Sequence, residues 1–161
     1  MSDLDICMTN EVLTPDTAAR QRWLAVLARA SRLELETALP LLGELPVAVH
    51  VRVSEPGMVM LRGQIGGTGD AFNLGETSVT RCALRLGAGA MGVGYTLGRD
   101  RRKAELIAIF DALLQDPARH DSVMHEHVEP LAAQQSAQRE AISCAAAASK
   151  VEFFTFVRGQ A

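Results

Sequence analysis

Four cations lie close together in the sequence: Arg99, Arg101, Arg102 and Lys103. The pattern after them predicts a helix, and the start of a helix attracts anions because its dipole and its free N–H groups are positive there. Cations at that position destabilise the helix unless an anion is bound. The group could therefore hold a phosphate or a partner's carboxylate, with Asp100 as the helix cap. The alternative interpretation is a solvated basic turn without a ligand.

A second cationic feature lies on the strand predicted over residues 77–86. Alternation along a strand places Arg81 and Arg85 on one face, opposite its more apolar residues. On the next predicted strand Gly92 and Gly94 share a face, and glycine within a strand often marks the close approach of a ligand or another backbone. If the glycines lie on the arginine face, they form a smooth floor rimmed by cations that could bind a partner. A local twist or bulge is the alternative.

The C-terminal segment is the most aromatic part of the chain, because it contains Phe153, Phe154 and Phe156. A strand predicted over residues 151–157 would be apolar on both faces, since Phe153 and Phe154 point to opposite sides. Such a strand must be covered. Either it closes the sheet of its own domain or it forms a subunit interface.

Two glycine-rich segments and three histidines match known motifs only in part. Residues 87–92 satisfy GxGxxG, but a strand pattern follows where a dinucleotide fingerprint opens a helix, so a hairpin turn is predicted. Residues 66–69 lack the GK[ST] ending of a phosphate loop. His120, His125 and His127 could hold a metal, yet His125 and His127 would diverge by about 200° on a helix. A solvated, weakly structured segment is the preferred interpretation.

The elements that must position these residues follow from hydrophobic periodicity. Apolar residues spaced three and four apart predict helices. The second predicted helix begins at a capping box formed by Ser31 and Glu34. Alternation predicts strands, and the alternating valines of residues 47–53 are expected on a buried face. Pro56-Gly57 predicts a turn after them. The predicted helices cover residues 15–30, 31–43, 101–115, a short segment from 121 that ends before Pro130, and 132–150; the predicted strands cover residues 47–53, 58–65, 77–86, 91–97 and 151–157.

This order of elements predicts an α+β fold. Four consecutive strands with short links favour an antiparallel four-stranded meander, which the C-terminal strand could join, packed with N-terminal and C-terminal helices. The sequence contains no internal repeat and no linker pattern. We therefore expect a loose N-terminal arm over residues 1–14 and a single domain over residues 15–161.

Composition excludes several classes of protein. The 161 residues are 48% hydrophobic, which excludes a disordered polymer, and a net charge of -3 argues against a general coat for nucleic acid. No apolar stretch approaches the roughly 18 residues that span a bilayer, and the acidic N-terminus does not resemble a secretory signal. Cys7, Cys82 and Cys144 lack any paired spacing and indicate reduced thiols, so a cytoplasmic location is expected.

Several sequence blocks occur in an order typical of one protein family. They cover residues 19–28 (ARQRWLAVLA), 66–69 (GGTG), 72–76 (FNLGE), 79–82 (VTRC), 98–100 (GRD), 103–106 (KAEL) and 148–159 (ASKVEFFTFVRG). Together they resemble the PhnG family, the G subunits of the bacterial carbon-phosphorus lyase system. The resemblance runs from about residue 18 to residue 159, and its ordered set of blocks is specific.

The resemblance implies a subunit of a core complex with H, I and J subunits, which depends functionally on an L subunit and serves cytoplasmic phosphonate use. In that family the first committed step displaces the adenine of ATP with methylphosphonate and leaves α-D-ribose 1-methylphosphonate 5-triphosphate. The nucleosidase-like chemistry is attributed mainly to the I subunit. The resemblance therefore transfers no catalytic residue and no bound cofactor to this chain, and ATP is a substrate of the complex.

Three hypotheses of function follow. The first is a subunit whose glycine-arginine sheet face, or whose tail at Phe153–Phe156, packs on the I subunit and shapes its active site. The alternative is a stand-alone binder or enzyme for a phosphorylated metabolite, with the Arg99–Lys103 cluster as an anion clamp. The third is a metal-dependent catalyst that uses the histidines of residues 120–127.

Overall fold

The computed structural model describes residues 15–65 and 69–149. Within these ranges the elements are α1 (Pro15–Arg29), α2 (Arg32–Ala38), a 3-10 helix (Leu39–Leu42), β1 (Ala48–Gln64), β2 (Ala71–Leu86), β3 (Met91–Leu97), α3 (Arg101–Leu114), α4 (Pro117–Val123), a π turn (Met124–Val128) and α5 (Glu129–Ala148). The expected N-terminal arm and the predicted C-terminal strand, with Phe153, Phe154 and Phe156, lie outside the described residues.

The starts of α2 and α3 are capped as predicted. At α2 the Glu34 N–H donates to the Ser31 hydroxyl at 3.2 Å, and the Ser31 N–H donates to the Glu34 carboxylate at 2.7 Å. This capping box lowers the pKa of Glu34, because the hydrogen bonds from Ser31 stabilise the charged carboxylate. At α3 the Lys103 N–H donates to Asp100 Oδ1 at 2.9 Å, so Asp100 is the predicted N-cap.

The described sheet contains three antiparallel strands in the order β1-β2-β3, so the prediction of a four-stranded meander is wrong in the number of its strands. The segments 47–53 and 58–65, predicted as two strands, form one long strand. Pro56 and Gly57 do not turn the chain but pair with Thr80 and Val79. β1 lies at the edge of the described sheet, where a missing proline N–H is tolerated because no neighbouring strand requires it.

The valines at the start of β1 are exposed, so the prediction that they face the core is wrong. Val47, Val49, Val51 and Val53 are between 57% and 80% exposed. The register between β1 and β2 shifts twice across residues 50–55, and each shift interrupts the alternation of faces. In addition, α3 covers mainly β2 and β3, which leaves this part of β1 without a covering layer.

The core lies between α3 and the inner face of the sheet, with α1 and α2 packed against the same helix. Gly92 and Gly94 allow α3 to approach β3 closely, because a Cβ atom on either glycine would overlap backbone atoms of α3. The largest fully buried apolar side chains are Phe110, Leu27, Leu35, Leu84, Leu106, Ile107 and Leu114. The close approach at β3 therefore fixes the position of the helix that contributes most of this core.

The helices after α3 differ from the prediction at one proline. α3 ends at Leu114, and Pro117 occupies the first turn of α4. The next helical segment does not end before Pro130, as the sequence predicts, but continues through the π turn into α5. Pro130 follows the π segment directly, where the Glu129 N–H bonds to the Met124 carbonyl, so its missing N–H lies where the regular i→i−4 hydrogen-bond ladder is already interrupted. In residues 15–65 and 69–149 no helix is long and apolar enough to cross a membrane.

Candidate functional site

The side of the sheet opposite α3, named the outer face, is not covered by any helix among the described residues. Strand pairing places on it Val49, Arg52, Glu55, Arg81, Ala83, Arg85, Met91, Val93, Tyr95 and Leu97. Four of its large apolar or aromatic side chains are between 41% and 70% exposed: Met91, Tyr95, Val49 and Leu97. Exposed apolar side chains grouped on one uncovered face are typical of a site that contacts another protein.

The outer face is also cationic. Arg81 donates through Nε to Glu55 Oε1 at 3.1 Å, and Arg52 Nε lies 3.4 Å from the same oxygen. One carboxylate is thus shared by two guanidinium groups, and Arg85 has no acidic partner in the part of the chain that the structure describes. These groups are near half exposed, so their pairing contributes at most about 1 kcal/mol to stability. An excess of positive charge remains on a chain whose formal net charge is -3.

The predicted arginines and glycines lie on opposite faces of the sheet, which corrects the hypothesis of one smooth cationic floor. Arg81 and Arg85 pair with Tyr95 and Met91 on the outer face. Gly92 and Gly94 face inward, where α3 occupies the space above them. Both glycines serve helix packing inside the chain, so they do not belong to the candidate interface.

The basic group at the start of α3 is divided between internal contacts and solvent. The Lys103 ammonium donates to the Ala28 carbonyl at 2.8 Å near the end of α1, where helical carbonyls lack partners. Burial is the main cause that lowers the pKa of Lys103. Arg102 lies 3.8 Å from Glu36 and 3.5 Å from Glu105, which links α3 to α2.

Only two cations of this group therefore remain available to a ligand. Arg99 and Arg101 are exposed, and no described acidic side chain forms an ion pair with either. The Asp100 carboxylate already accepts a hydrogen bond from the Lys103 N–H at the helix start, so this N–H is not free for a ligand. An anion clamp made of all four cations is thus not assembled, and the geometry gives the stand-alone binder hypothesis little support.

The core contains a buried carboxylate that the sequence did not predict as a functional or structural group. Asp111 on α3 is fully buried and accepts hydrogen bonds from Arg20 at 2.6 and 3.1 Å and from the Trp23 indole N–H at 2.9 Å. The Val93 N–H donates to it at 2.8 Å, which ties β3 to the same group. Its sequence signal is an aspartate inside the otherwise apolar stripe of α3. All of its neighbours are donors at bonding distance, so the cluster is structural.

The remaining candidate groups do not assemble a reactive centre. Burial raises the pKa of Cys82 to about 11, so its thiolate is scarce near neutral pH. His120 lies 2.6 Å from the Leu114 carbonyl, and His127 packs edge-on against Phe110. Hydrogen bonding to Glu129 raises the pKa of His125, which does not converge with the other two. Residues 15–65 and 69–149 contain no group of three or more His, Cys, Asp or Glu that could hold a metal.

An open groove of about 740 Å³ lies beside the buried carboxylate. Arg20, Trp23 and His120 contribute to its wall, and the rings of Trp23 and His120 meet edge-on at 5.6 Å. The polar groups of these residues already bond within the chain, to Asp111 and to the Leu114 carbonyl. The groove therefore presents mainly apolar surface.

The distal halves of β1 and β2 form a two-stranded ribbon, named the arm, which consists of residues 57–64 and 71–78. β3 pairs with β2 only from Val79 to Arg85, so the arm extends past the third strand. Large apolar side chains along it are exposed, among them Met58, Met60 and Leu74. The sequence indicated no arm, because the expected turn at Pro56-Gly57 divided it.

The fold and surface define a class: a small α+β protein whose sheet is covered by helices on one side only. The other side of the sheet is apolar and cationic, and two of its strands extend past the third as the arm. Residues 18–159 match the profile of the family described as phosphonate metabolism protein PhnG. Over 143 residues the chain is 45% identical to the alpha-D-ribose 1-methylphosphonate 5-triphosphate synthase subunit PhnG of Rhizobium meliloti (strain 1021), which covers 89% of this chain and 91% of that relative. The chain belongs to the PhnG family, as the resemblance predicts.

Proposed function

We propose that this chain is a subunit of an α-D-ribose 1-methylphosphonate 5-triphosphate synthase. In this reaction an oxygen of methylphosphonate replaces the adenine nitrogen at C1′ of ATP, so adenine leaves and the ribose 5-triphosphate is transferred. The proposal is supported by a relative that is described as a subunit of this synthase and is 45% identical to this chain along nearly its whole length. ATP is a substrate of the complex, and no cofactor is assigned to this chain.

The role within the complex is to dock on the I subunit and shape its active site, with H and J subunits in the same cytoplasmic assembly and functional dependence on an L subunit. The observation that carries this role is the uncovered outer face, where Tyr95 and Leu97 are 54% and 70% exposed. Burial of side chains of this size contributes about 1.5 to 3 kcal/mol each when it is complete. An isolated chain leaves that stabilisation unused, whereas a docked chain gains it.

Charge adds specificity to this contact. Arg81 shares Glu55 with Arg52, and Arg85 has no described acidic partner, so the outer face favours a partner surface with carboxylates around an apolar centre. Phe153 and Phe154 in the C-terminal tail remain a second proposed contact with the I subunit. Catalytic groups are then supplied by the partner and not by this chain.

We expect the double substitution Arg85→Glu with Tyr95→Asp to remove this chain from the complex and to reduce adenine release at least about tenfold, because it reverses a charge and places a carboxylate in the apolar contact. The measurement is co-purification with the I, H and J subunits, followed by adenine release from ATP and methylphosphonate. Both positions are exposed, so the fold should persist.

The matched control is Arg99→Glu with Arg101→Glu, which changes two exposed cations away from the outer face. It should retain assembly and adenine release within about twofold, since exposed charges contribute little by themselves. The reverse pattern, with an intact complex and activity in the outer-face variant and a loss in the control, would favour the anion-clamp alternative. The same assay on Phe153→Ala with Phe154→Ala tests the tail.

A further inference from the structure

The arm carries exposed apolar side chains on both of its faces. Met58 and Met60 pair with Ser78 and Glu76 and lie on the side of the ribbon that continues the inner face of the sheet. They are 65% and 49% exposed, so α3 does not extend over them. On the opposite side Val59 and Leu61, which pair with Thr77 and Gly75, are 40% and 42% exposed.

The two edges of the arm are also unpaired among the described strands. β1 has no described neighbour on its outer edge, and β3 pairs with β2 only as far as Val79. A two-stranded ribbon is at best marginally stable alone in water, so a ribbon roughly 25 Å long that is apolar on both faces requires cover. Unpaired edges offer main-chain N–H and C=O groups that a partner can bind.

The arm and the rest of the sheet differ in charge. Its sixteen residues contain one cation, Arg62, and one acid, Glu76, so the arm is formally neutral. The outer face of the three-stranded part of the sheet carries three cations, Arg52, Arg81 and Arg85, and one acid, Glu55. The arm therefore suits an apolar, uncharged partner surface, whereas the body of the sheet suits one with carboxylates.

We propose that the arm inserts into an apolar cleft of another subunit of the synthase, which encloses both faces of the ribbon. A flat partner surface would bury one pair, either Met58 with Met60 or Val59 with Leu61, and would leave the other in water. A second copy of this chain has the same limit, because stacking two ribbons covers one face of each. A cleft of a single partner covers both. This inference rests on the proposed function, since it takes the partner from the same complex.

The experiment measures the affinity of the full-length chain for the remaining subunits of the synthase, purified together. One variant is Met58→Asp with Met60→Asp, and the other is Val59→Asp with Leu61→Asp. Each should weaken binding at least about 100-fold, because either pair would place two carboxylates in an apolar cleft. The control, Leu33→Asp with Leu41→Asp, changes two side chains of α2 and the 3-10 helix that are 73% and 69% exposed, and should bind within about threefold of the original chain.

The outcomes separate the two proposals. If the unaltered chain does not bind the other subunits, the proposed function fails. If it binds and one arm variant keeps its affinity, the arm lies on a flat surface and the cleft is wrong. If the isolated chain dimerises and both arm variants abolish the dimer, the arm contacts a second copy and the cleft is again wrong. Threonine replacements at the same four positions, which retain strand propensity, repeat the test should an aspartate variant not fold.

Discussion

Replacing Asp111 with asparagine is expected to lower the free energy of unfolding by about 3 kcal/mol, a large part of the stability of an ordinary domain. The carboxylate is fully buried and receives hydrogen bonds from Arg20, Trp23 and the Val93 N–H. An asparagine side chain has one oxygen and one NH₂ group, so at least one of these donors would face another donor. The charge of Arg20 would also lose its partner.

The measurement is thermal and urea unfolding of the Asp111→Asn chain, and the midpoint should fall by roughly 6 to 12 °C. Glu36→Gln is the matched control, because it also converts a carboxylate to an amide in an ion pair, with Arg32, but near the surface. It should cost less than about 1 kcal/mol. Equal stability of the Asp111 variant and the unaltered chain would show that the cluster does not hold α1, α3 and β3 together.

Gly94→Ala should destabilise the chain by about 3 kcal/mol, because a single added methyl group has no room. A Cβ atom at this position would overlap the Ala104 carbonyl oxygen, which belongs to the backbone of α3 and cannot rotate away as a side chain could. The helix would have to move from the sheet, and the core between them would loosen. Unfolding followed by circular dichroism measures the loss.

Gly75→Ala provides the control for this substitution. Gly75 lies on β2, and an added Cβ there meets no atom within 4 Å, so the change should be neutral or slightly stabilising. If Gly94→Ala unfolds at the same temperature as Gly75→Ala, α3 does not pack on β3 at the distance described.

Local signals allowed the sequence to predict much of the chain. The capping box at Ser31, the cap at Asp100 and the apolar spacing of α3 depend on residues near each other in sequence, and the structure confirms them. The sheet was less predictable, because alternation states which residues share a face and not which face is covered. In β1 both faces have apolar residues and bulges interrupt the period, so the valines of residues 47–53 were assigned to the wrong environment.

In the candidate site, too, the sequence predicted what depends on one strand and did not predict what depends on tertiary contacts. Alternation correctly placed Arg81 and Arg85 on one face, since that inference concerns a single strand. The relation between this face and Gly92 depended on which side α3 covers, a tertiary fact with no local signal. Asp111 and Arg20 are 91 positions apart, so their contact could be suspected only from a charge within an apolar stripe.

The most direct test is light-scattering chromatography of this chain alone and co-expressed with its cognate I subunit, followed by an adenine-release assay with ATP and methylphosphonate. The account predicts a stable heteromer, no adenine release by the isolated chain, and a loss of release when this chain is omitted from the complete set of subunits. A monomer that releases adenine by itself, or a complex that works equally well without this chain, would contradict it.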